Sequence, residues 1–302
     1  MKKILIIKLG ALGDVVRTTV LLHLFKEDEV TWVTNPAIAP LLPSSAVKRV
    51  LSIHDKGKLK GTKFDTVISL DDEQDSAAFA TDTDTREIVG TFLNADRKVT
   101  YTDSASEWFD MGLVSRFGKA KADEVKYQNK KTYQEILFGM FGKQFGGEEY
   151  CLDLSGCKRK EISSKITIGI EDRAGDRWAT KKWHRYDELA VLLGQRGYNV
   201  IFFQQRSTLK DYASDIEQCD LIITGDTLCM HLALALKKSM VCLFTCTSPH
   251  EIYDYGRMWK IVSPLLKECF YAKEYNVKAL EAISLQSVFE AVQDALGVHQ
   301  LK

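Results

Sequence analysis

Short, unbroken apolar runs that end in glycine-rich or polar turns are the feature that most constrains this fold. The first run, at 3–8, is rich in isoleucine and leads into a turn at 9–14, which an apolar helical segment follows at 15–26. Short apolar runs of this kind are typical of strands buried on both faces. Because such runs alternate with helical segments, we predict an α/β fold with parallel sheets and helices on both faces.

The same pattern continues along the chain. A helix at 185–196 is predicted to end at Gly197. Ser284 is predicted to cap a last helix, whose apolar residues recur at helical spacing. The region 77–102, rich in Thr and Asp, predicts no regular element. The remaining predictions are strands at 30–34, 67–70, 166–170, 200–203, 221–224 and 240–245, and helices at 130–145 and from Leu228 onward.

Chain length and one exposed connection predict two domains. The 302 residues suit two cores better than one. Gly146 and Gly147 end a helical segment, and the polar stretch 148–165 separates the two α/β series. We therefore predict domains at 1–155 and 156–302, both Rossmann-like.

Charge and cysteine content exclude several classes of protein. The 41 basic and 41 acidic residues balance, so the basic excess of a nucleic-acid-binding protein is absent from the sequence. Seven scattered cysteines form no CxxC pair, which favours a reducing compartment. The opening Met-Lys-Lys and its apolar run are interpreted as a first strand rather than a signal peptide, since Lys8, Asp14 and Arg17 interrupt it. We expect a cytoplasmic protein that contacts a membrane only peripherally.

The turn after the first strand is the first candidate site, because ligands bind beyond the carboxyl ends of strands in open α/β sheets. Gly10 and Gly13 would let a ligand approach the backbone closely. Asp14 either caps the following helix or accepts a proton from a bound hydroxyl. The spacing is not the GxGxxG of dinucleotide-binding proteins, which argues against a nicotinamide dehydrogenase.

Two further candidate sites follow strand ends in the second half. The stretch 174–183 carries several cations and is either a diphosphate site or a solvated basic loop. The stretch 225–231 places Asp226 and Thr227 before an apolar helix, where either could cap it. His231 within that helix is either a satisfied core histidine or a ligand contact. Together the three segments predict a small-molecule site in a cleft between the domains.

Four segments in a fixed order resemble the motifs of one known family. They are Ile6-Ile7-Lys8-Leu9-Gly10-Ala11-Leu12-Gly13-Asp14-Val15-Val16-Arg17-Thr18-Thr19, Thr180-Lys181-Lys182-Trp183, Gly225-Asp226-Thr227 through Met230-His231-Leu232-Ala233, and Leu243-Phe244-Thr245-Cys246-Thr247-Ser248-Pro249. Their order and spacing over nearly the whole chain resemble glycosyltransferase family 9, best known for the lipopolysaccharide heptosyltransferases. The resemblance implies a GT-B fold, in which two Rossmann-like domains face each other across a cleft and the C-terminal helix packs back toward the first domain.

The resemblance also implies a reaction: inverting transfer of heptose from ADP-heptose to a saccharide acceptor, in lipopolysaccharide core biosynthesis, without metal or cofactor. It assigns acceptor binding to the first domain and donor binding to the second. Asp14 would be the general base, and Lys181 would contact the donor diphosphate. The partners would be a nucleotide sugar and a lipopolysaccharide-core acceptor, with the protein at the inner face of the inner membrane. Further donor contacts would come from Arg177, Thr180, Lys182, Asp226, Thr227, Met230 and His231, and the acceptor or phosphate loop would include Gly10, Gly13 and Arg17.

The chain departs from the family pattern at several positions. Leu228 stands where many relatives have glycine, and the stretch 203–209 lacks the Gly-Gly-x-x-Glu segment that many place after this strand. Thr245 and Cys246 replace a usual Gly-Pro, and only Cys269 remains of a frequent cysteine cluster. Two alternatives therefore stay open: a GT-B transferase or epimerase with another sugar nucleotide, and a non-catalytic nucleotide-binding relative.

Overall fold

The computed structural model describes residues 1–158 and 165–297, without the side chains of Asp176 and Arg177. Its contacts divide the chain into two compact units, Met1–Asp153 and Leu154–Lys302. The domain boundary predicted between residues 155 and 156 lies close to this division. Residues 159–164 of the predicted connection lie outside the described part of the chain.

The first unit contains a mostly parallel sheet. Within the described residues its strand order is β3-β2-β1-β4-β5-β6, with β6 antiparallel to β5. β1 pairs with β2 on one side and with β4 on the other. The chain therefore adds strands first on one side of β1 and then on the other side. The carboxyl ends of β1 and β4 are therefore adjacent, with Ile7 opposite Ser69. The strands are β1 (Lys3–Ile7), β2 (Glu29–Val33), β3 (Val47–Leu51), β4 (Phe64–Ser69), β5 (Thr85–Leu93) and β6 (Val99–Tyr101).

The helix after β1 begins earlier and ends sooner than the sequence predicts. It is α-helical only over Leu12–Thr18 and tightens to a 3₁₀ helix over Thr19–His23. Two hydroxyls bond to backbone carbonyls within this stretch: Thr18 Oγ1 donates to Asp14 O at 2.6 Å and Thr19 Oγ1 to Val16 O at 2.7 Å. Such bonds compete with helical geometry. The α-helices of this unit are α1 (Leu12–Thr18), α2 (Gln74–Thr81), α3 (Ser106–Phe109), α4 (Lys119–Gln128) and α5 (Tyr133–Gly139).

The region 77–102, for which the sequence predicts no element, holds part of α2 and both β5 and β6. β5 begins with a polar, largely exposed stretch and becomes buried only near Val89. A strand without apolar alternation along its whole length carries little periodic signal. The predicted helix at 130–145 is confirmed in a shorter form, because the capping box of Thr132 and Glu135 starts α5 at Tyr133.

The second unit contains a fully parallel sheet with the order β11-β10-β9-β7-β8 in the described residues. The order reverses at β7, which lies between β8 and β9. Its strands are β7 (Thr167–Ile170), β8 (Asn199–Phe202), β9 (Leu221–Gly225), β10 (Ser239–Phe244) and β11 (Met258–Val262). Its helices are α6 (Tyr186–Gln195), α7 (Leu209–Glu217), α8 (Leu228–Ala235), α9 (Val277–Glu281) and α10 (Leu285–Ala295).

The last helix, α10, belongs to the core of the second unit. Its start is as predicted, since Ser284 Oγ accepts the backbone N–H of Ser287 at 3.0 Å. Its apolar residues Val288 and Val292 are fully buried in the core of the second unit. Its apolar stripe packs on the sheet of the second unit, beside β10 and β11.

All seven cysteine thiols are free, and five of them are buried. The buried cysteines act as small apolar side chains. Within residues 1–158 and 165–297, no helix combines the length and hydropathy needed to cross a bilayer.

Candidate functional site

Asp71, two residues beyond β4, fixes the turn that follows β1. Its carboxylate accepts hydrogen bonds from the backbone N–H of Leu9, from Gly10 N at 3.2 Å and from Lys8 Nζ at 2.7 Å. A Cβ added to Gly10 would lie 2.9 Å from Asp71 Oδ1. Gly10 is therefore needed for the close approach of this carboxylate, whereas the sequence suggested the approach of a ligand.

The pair of Lys8 and Asp71 is buried, with side chains 9% and 2% exposed. Burial lowers the pKa of Lys8, but the charge of Asp71, helped by Tyr133 and Asp14, outweighs it and holds that pKa above its ordinary value. Lys8 therefore stays charged, and its ion pair with Asp71 helps to hold the turn before α1.

Asp14 lies in the first turn of α1 and does not cap it, since the N-cap position is Ala11, which makes no side-chain cap bond. Its Oδ1 lies 2.8 Å from Nη2 of Arg17, and the two side chains are 35% and 9% exposed in that order. The Arg17 guanidinium lies 3.9 Å from the ring centroid of Tyr133 and 5.5 Å from that of Trp108. A buried arginine thus orients a carboxylate that remains accessible to solvent. Gly13 is buried within the same helix.

Lys181 and Asp226 meet at the carboxyl end of β9. Lys181 ends the 3₁₀ segment Asp176–Lys181, and its Nζ donates to Asp226 O at 2.6 Å and to Asp226 Oδ2 at 2.9 Å. Their side chains are 15% and 17% exposed. Burial raises the pKa of Asp226, but Lys181 and then His231 outweigh it and hold that pKa well below its ordinary value. Three of the predicted donor-binding residues therefore form one charged cluster.

The other predicted donor-binding residues are distributed differently. Thr227 precedes α8, with its hydroxyl 3.1 Å from that of Thr224, and lines a pocket. Thr180 is buried and holds the segment near Asn276, whose backbone N–H donates to its hydroxyl at 3.0 Å. Met230 lies in the core, with its Sδ 3.4 Å from Cys242 Sγ. Lys182 is exposed and lines a separate pocket with Trp178, His184 and Tyr275, and the side chain of Arg177 lies outside the described residues.

The pocket that Thr227 lines has a volume of about 400 Å³ and includes residues that sequence reasoning missed. It is bordered by the ends of β7 and β8 and by the start of α8. Leu228, noted as a departure from the family pattern, lines it as well. The missed residues are Glu171, Arg173 and Tyr212, which contact one another. Glu171 directly follows β7. An acidic residue at the end of a strand is a sequence pattern that could have indicated this group.

Asp71, Trp108 and Tyr133 were also missed in the first domain. Asp71 follows a predicted strand, so the same signal applied to it. The two aromatic residues carried no signal, because their contact with Arg17 joins segments distant in sequence. Among the described residues, no group of three or more His, Cys, Asp or Glu side chains is arranged to hold a metal ion.

Comparison with known proteins shows what the fold and part of the second domain are similar to. Residues 205–279 match the profile of glycosyltransferase family 9 (heptosyltransferase). A family 9 glycosyl transferase from Veillonella parvula DSM 2008 is 17% identical, with a TM-score of 0.64 over 99% of this chain and 98% of that one. The E. coli heptosyltransferase WaaC with ADP-2-deoxy-2-fluoro heptose is 15% identical, with a TM-score of 0.63 over 97% and 99%.

A third structure, E. coli ADP-heptose lps heptosyltransferase II, is 17% identical, with a TM-score of 0.61 over 97% of this chain and 98% of that one. A search of curated protein sequences finds no match. The agreement over nearly the whole chain shows that the fold is of the GT-B type. Within the second domain, residues 205–279 are similar to glycosyltransferase family 9.

Proposed function

We propose that this protein is a glycosyltransferase that transfers heptose from ADP-heptose to a saccharide acceptor of the lipopolysaccharide core, with inversion and without a metal ion. The observation that carries the proposal is the accessible Asp14 carboxylate, oriented by a buried arginine at the end of β1. The profile match and the E. coli proteins named above support the choice of donor and acceptor, since their names specify heptose, ADP and lps.

In the proposed reaction, the acceptor hydroxyl attacks the anomeric carbon while the bond from that carbon to the ADP oxygen breaks. Asp14 takes the proton of the attacking hydroxyl, and Arg17 keeps the carboxylate in one orientation. A carboxylate in the first turn of a helix is stabilised in its ionised form by the free N–H groups there. It is therefore available as a base at neutral pH. A single displacement of this kind inverts the configuration at the sugar carbon.

The second domain would bind the donor. Negative charge develops on the departing ADP, so a fixed cation lowers the barrier most when it lies beside that group. Lys181 supports this role because Asp226 holds its ammonium group in place through two hydrogen bonds. Thr227 and His231, next to Asp226 on or before α8, would complete the contacts to the phosphate and sugar end of the donor.

The test is turnover of ADP-heptose by Asp14→Asn and Asp14→Ala, measured with a lipopolysaccharide-core acceptor in the presence and absence of a chelator. We expect the turnover number to fall by a factor of about 10² to 10⁴, the usual contribution of a general base. ADP affinity should be unchanged, and the chelator should have no effect. Asp75→Ala is the matched control, since Asp75 also lies in the first turn of a first-domain helix and is exposed.

Near-normal turnover of Asp14→Asn would refute the assignment of the base. The donor is tested separately by thermal stabilisation with ADP, GDP, UDP and TDP sugars. Stabilisation by a UDP sugar alone would replace ADP-heptose with another nucleotide sugar and leave the role of Asp14 intact. NMR of the product would show the anomeric configuration, and retention would exclude the single displacement.

A further inference from the structure

A buried acid, an arginine and a tyrosine form a closed group beside the 400 Å³ pocket. Glu171 is 4% exposed. Its Oε1 accepts Arg173 Nε at 2.7 Å and Arg173 N at 3.0 Å, and its Oε2 accepts Arg173 Nη2 at 2.7 Å and the hydroxyl of Tyr212. A carboxylate has about four acceptor positions. Glu171 therefore has none left for a ligand hydroxyl, although it borders the pocket.

Arg173 is the member of this group that can reach a ligand. The guanidinium has five N–H donors, of which Glu171 takes the Nε–H and one Nη2–H. Arg173 lines the pocket, and its side chain is 40% exposed. The pair is bidentate, so the guanidinium plane is fixed while its remaining donors are kept for another acceptor.

The rest of the pocket indicates an anionic ligand group. Thr227 and Cys229, at the start of α8, line the same pocket, and backbone N–H groups at a helix start favour negative charge. Lys181 cannot satisfy a diphosphate by itself, since two of the three hydrogens of its ammonium already go to Asp226. A planar guanidinium with a fixed orientation matches phosphate oxygens better than it matches a sugar or a base.

We propose that Arg173 binds the diphosphate of the nucleotide donor, and that Glu171 and Tyr212 are positioning residues for it. This inference rests on the proposed function, because it takes the ligand of the second domain to be a nucleoside diphosphate sugar. It adds a cation that lies outside the four family-like segments and that the sequence analysis did not single out.

Arg206 provides a matched control within the same pocket. It also lines the pocket and also forms a bidentate pair, with Asp215 at 2.5 and 3.0 Å. That pair is more exposed, because the Asp215 side chain is 23% exposed and that of Glu171 is 5% exposed. A variant of Arg206 therefore removes the same charge from the same pocket without touching the buried group.

The experiment is calorimetric titration of the full chain with ADP, GDP, UDP and CDP, and competition binding with the corresponding nucleosides. The diphosphate that the wild type binds best is then used with Arg173→Gln, Arg206→Gln and Glu171→Gln. We expect Arg173→Gln to lose roughly 10- to 100-fold in affinity for the diphosphate, as for a lost charged hydrogen bond, with nucleoside affinity unchanged. Arg206→Gln should change diphosphate affinity less than about threefold, because the more exposed Asp215 fixes the Arg206 guanidinium less firmly than Glu171 fixes Arg173.

Glu171→Gln keeps the Arg173 cation but holds it less firmly in place. We therefore expect the ratio of diphosphate affinity to nucleoside affinity to fall, but by less than in Arg173→Gln. A purely structural role would lower the melting temperature and leave that ratio unchanged, which would overturn the positioning role. If Arg173→Gln does not fold, the double variant Arg173→Gln with Glu171→Gln removes the uncompensated buried acid and is used in its place.

Equal losses of affinity for diphosphate and nucleoside, or equal losses in the Arg173 and Arg206 variants, would overturn the role of Arg173. The proposed donor class would then still stand. If the wild type binds no nucleoside diphosphate, the proposed donor class is wrong and this inference is wrong with it. If the wild type binds a diphosphate other than ADP and Arg173→Gln loses it, the inference stands while the ADP choice does not.

Discussion

Both domains place a lysine–aspartate pair at the carboxyl end of a parallel sheet, but the two pairs are built differently. Lys8 and Asp71 follow β1 and β4, and their side chains are 9% and 2% exposed. Lys181 and Asp226 lie beside β9, and theirs are 15% and 17% exposed. The same two residue types therefore form one almost fully buried pair and one partly exposed pair.

The difference lies in what else the aspartate binds. Asp71 accepts the backbone N–H groups of Leu9 and Gly10 in addition to Lys8, so it fixes the course of the chain into α1. Asp226 accepts hydrogen bonds from Lys181 Nζ at its side-chain carboxylate and at its backbone carbonyl, and thereby fixes the position of a side-chain cation. The first pair shapes the backbone that carries Asp14, whereas the second pair orients a side-chain charge that is partly exposed.

Asp71→Ala should show the largest effect of this difference, and it should be on stability. Removing one partner leaves Lys8 buried and uncompensated, which typically costs about 3–5 kcal/mol of unfolding free energy. It also leaves the N–H groups of Leu9 and Gly10 without their acceptor. Urea unfolding followed by circular dichroism measures the loss.

Two further variants test the cause. Asp72→Ala, one residue away and less buried, should cost less than about 1 kcal/mol. Lys8→Met with Asp71→Ala should recover part of the loss, because the buried charge is then absent. If the double variant is no more stable than Asp71→Ala, the cost comes from the backbone N–H groups alone and the ionic part of the comparison is wrong.

Lys181→Ala should show the next largest effect, and it should be on activity. Loss of a charge that stabilises the leaving group should lower kcat/KM by roughly 10²- to 10³-fold, or about 2.7–4 kcal/mol. Lys182→Ala is the control, because the neighbouring lysine is exposed and lines a different pocket. We expect that variant to retain kcat/KM within about threefold. Equal losses in the two variants would indicate a general basic surface and would remove the distinction between the two pairs.

The sequence predicts the second pair better than the first. Lys181 and Asp226 each stand in a segment that resembles a family motif, so both were selected before their contact was known. Asp71 follows a predicted strand, but its bond to the backbone of Leu9 depends on β1 and β4 being neighbours. Strand order is a tertiary property that periodicity does not encode.

Strands made of short buried apolar runs were predicted well, whereas the partly exposed strands β3, β5, β6 and β11 were not predicted. β1, β7, β9 and β10 are short apolar runs, and their positions agree with the prediction to within one or two residues. β5 was missed because its first half is polar and exposed. The group of Glu171, Arg173 and Tyr212 was missed for another reason: Tyr212 lies on α7, and only the folded chain brings it to the end of β7.

Asp226→Asn should show the smallest effect, and that effect should depend on pH. Lys181 and His231 hold the pKa of Asp226 below its ordinary value against the opposing effect of burial. As the pH falls, the unfolded chain therefore takes up a proton at this residue before the folded chain does. The ionised carboxylate should stabilise the fold by about 1–2 kcal/mol at neutral pH, and this contribution should decline below about pH 4.

The measurement is the difference in unfolding free energy between the wild type and Asp226→Asn from pH 3 to pH 8, by urea titration. The difference should be constant above about pH 5 and shrink as the pH falls toward 3. Asp187→Asn, at an exposed position in α6, should differ little from the wild type throughout, since exposed charges contribute little. A difference for Asp226→Asn that stays constant down to pH 3 would mean that its charge does not stabilise the fold. The two pairs would then differ in their energetics, because only the ionic interaction of Lys8 with Asp71 would stabilise the fold.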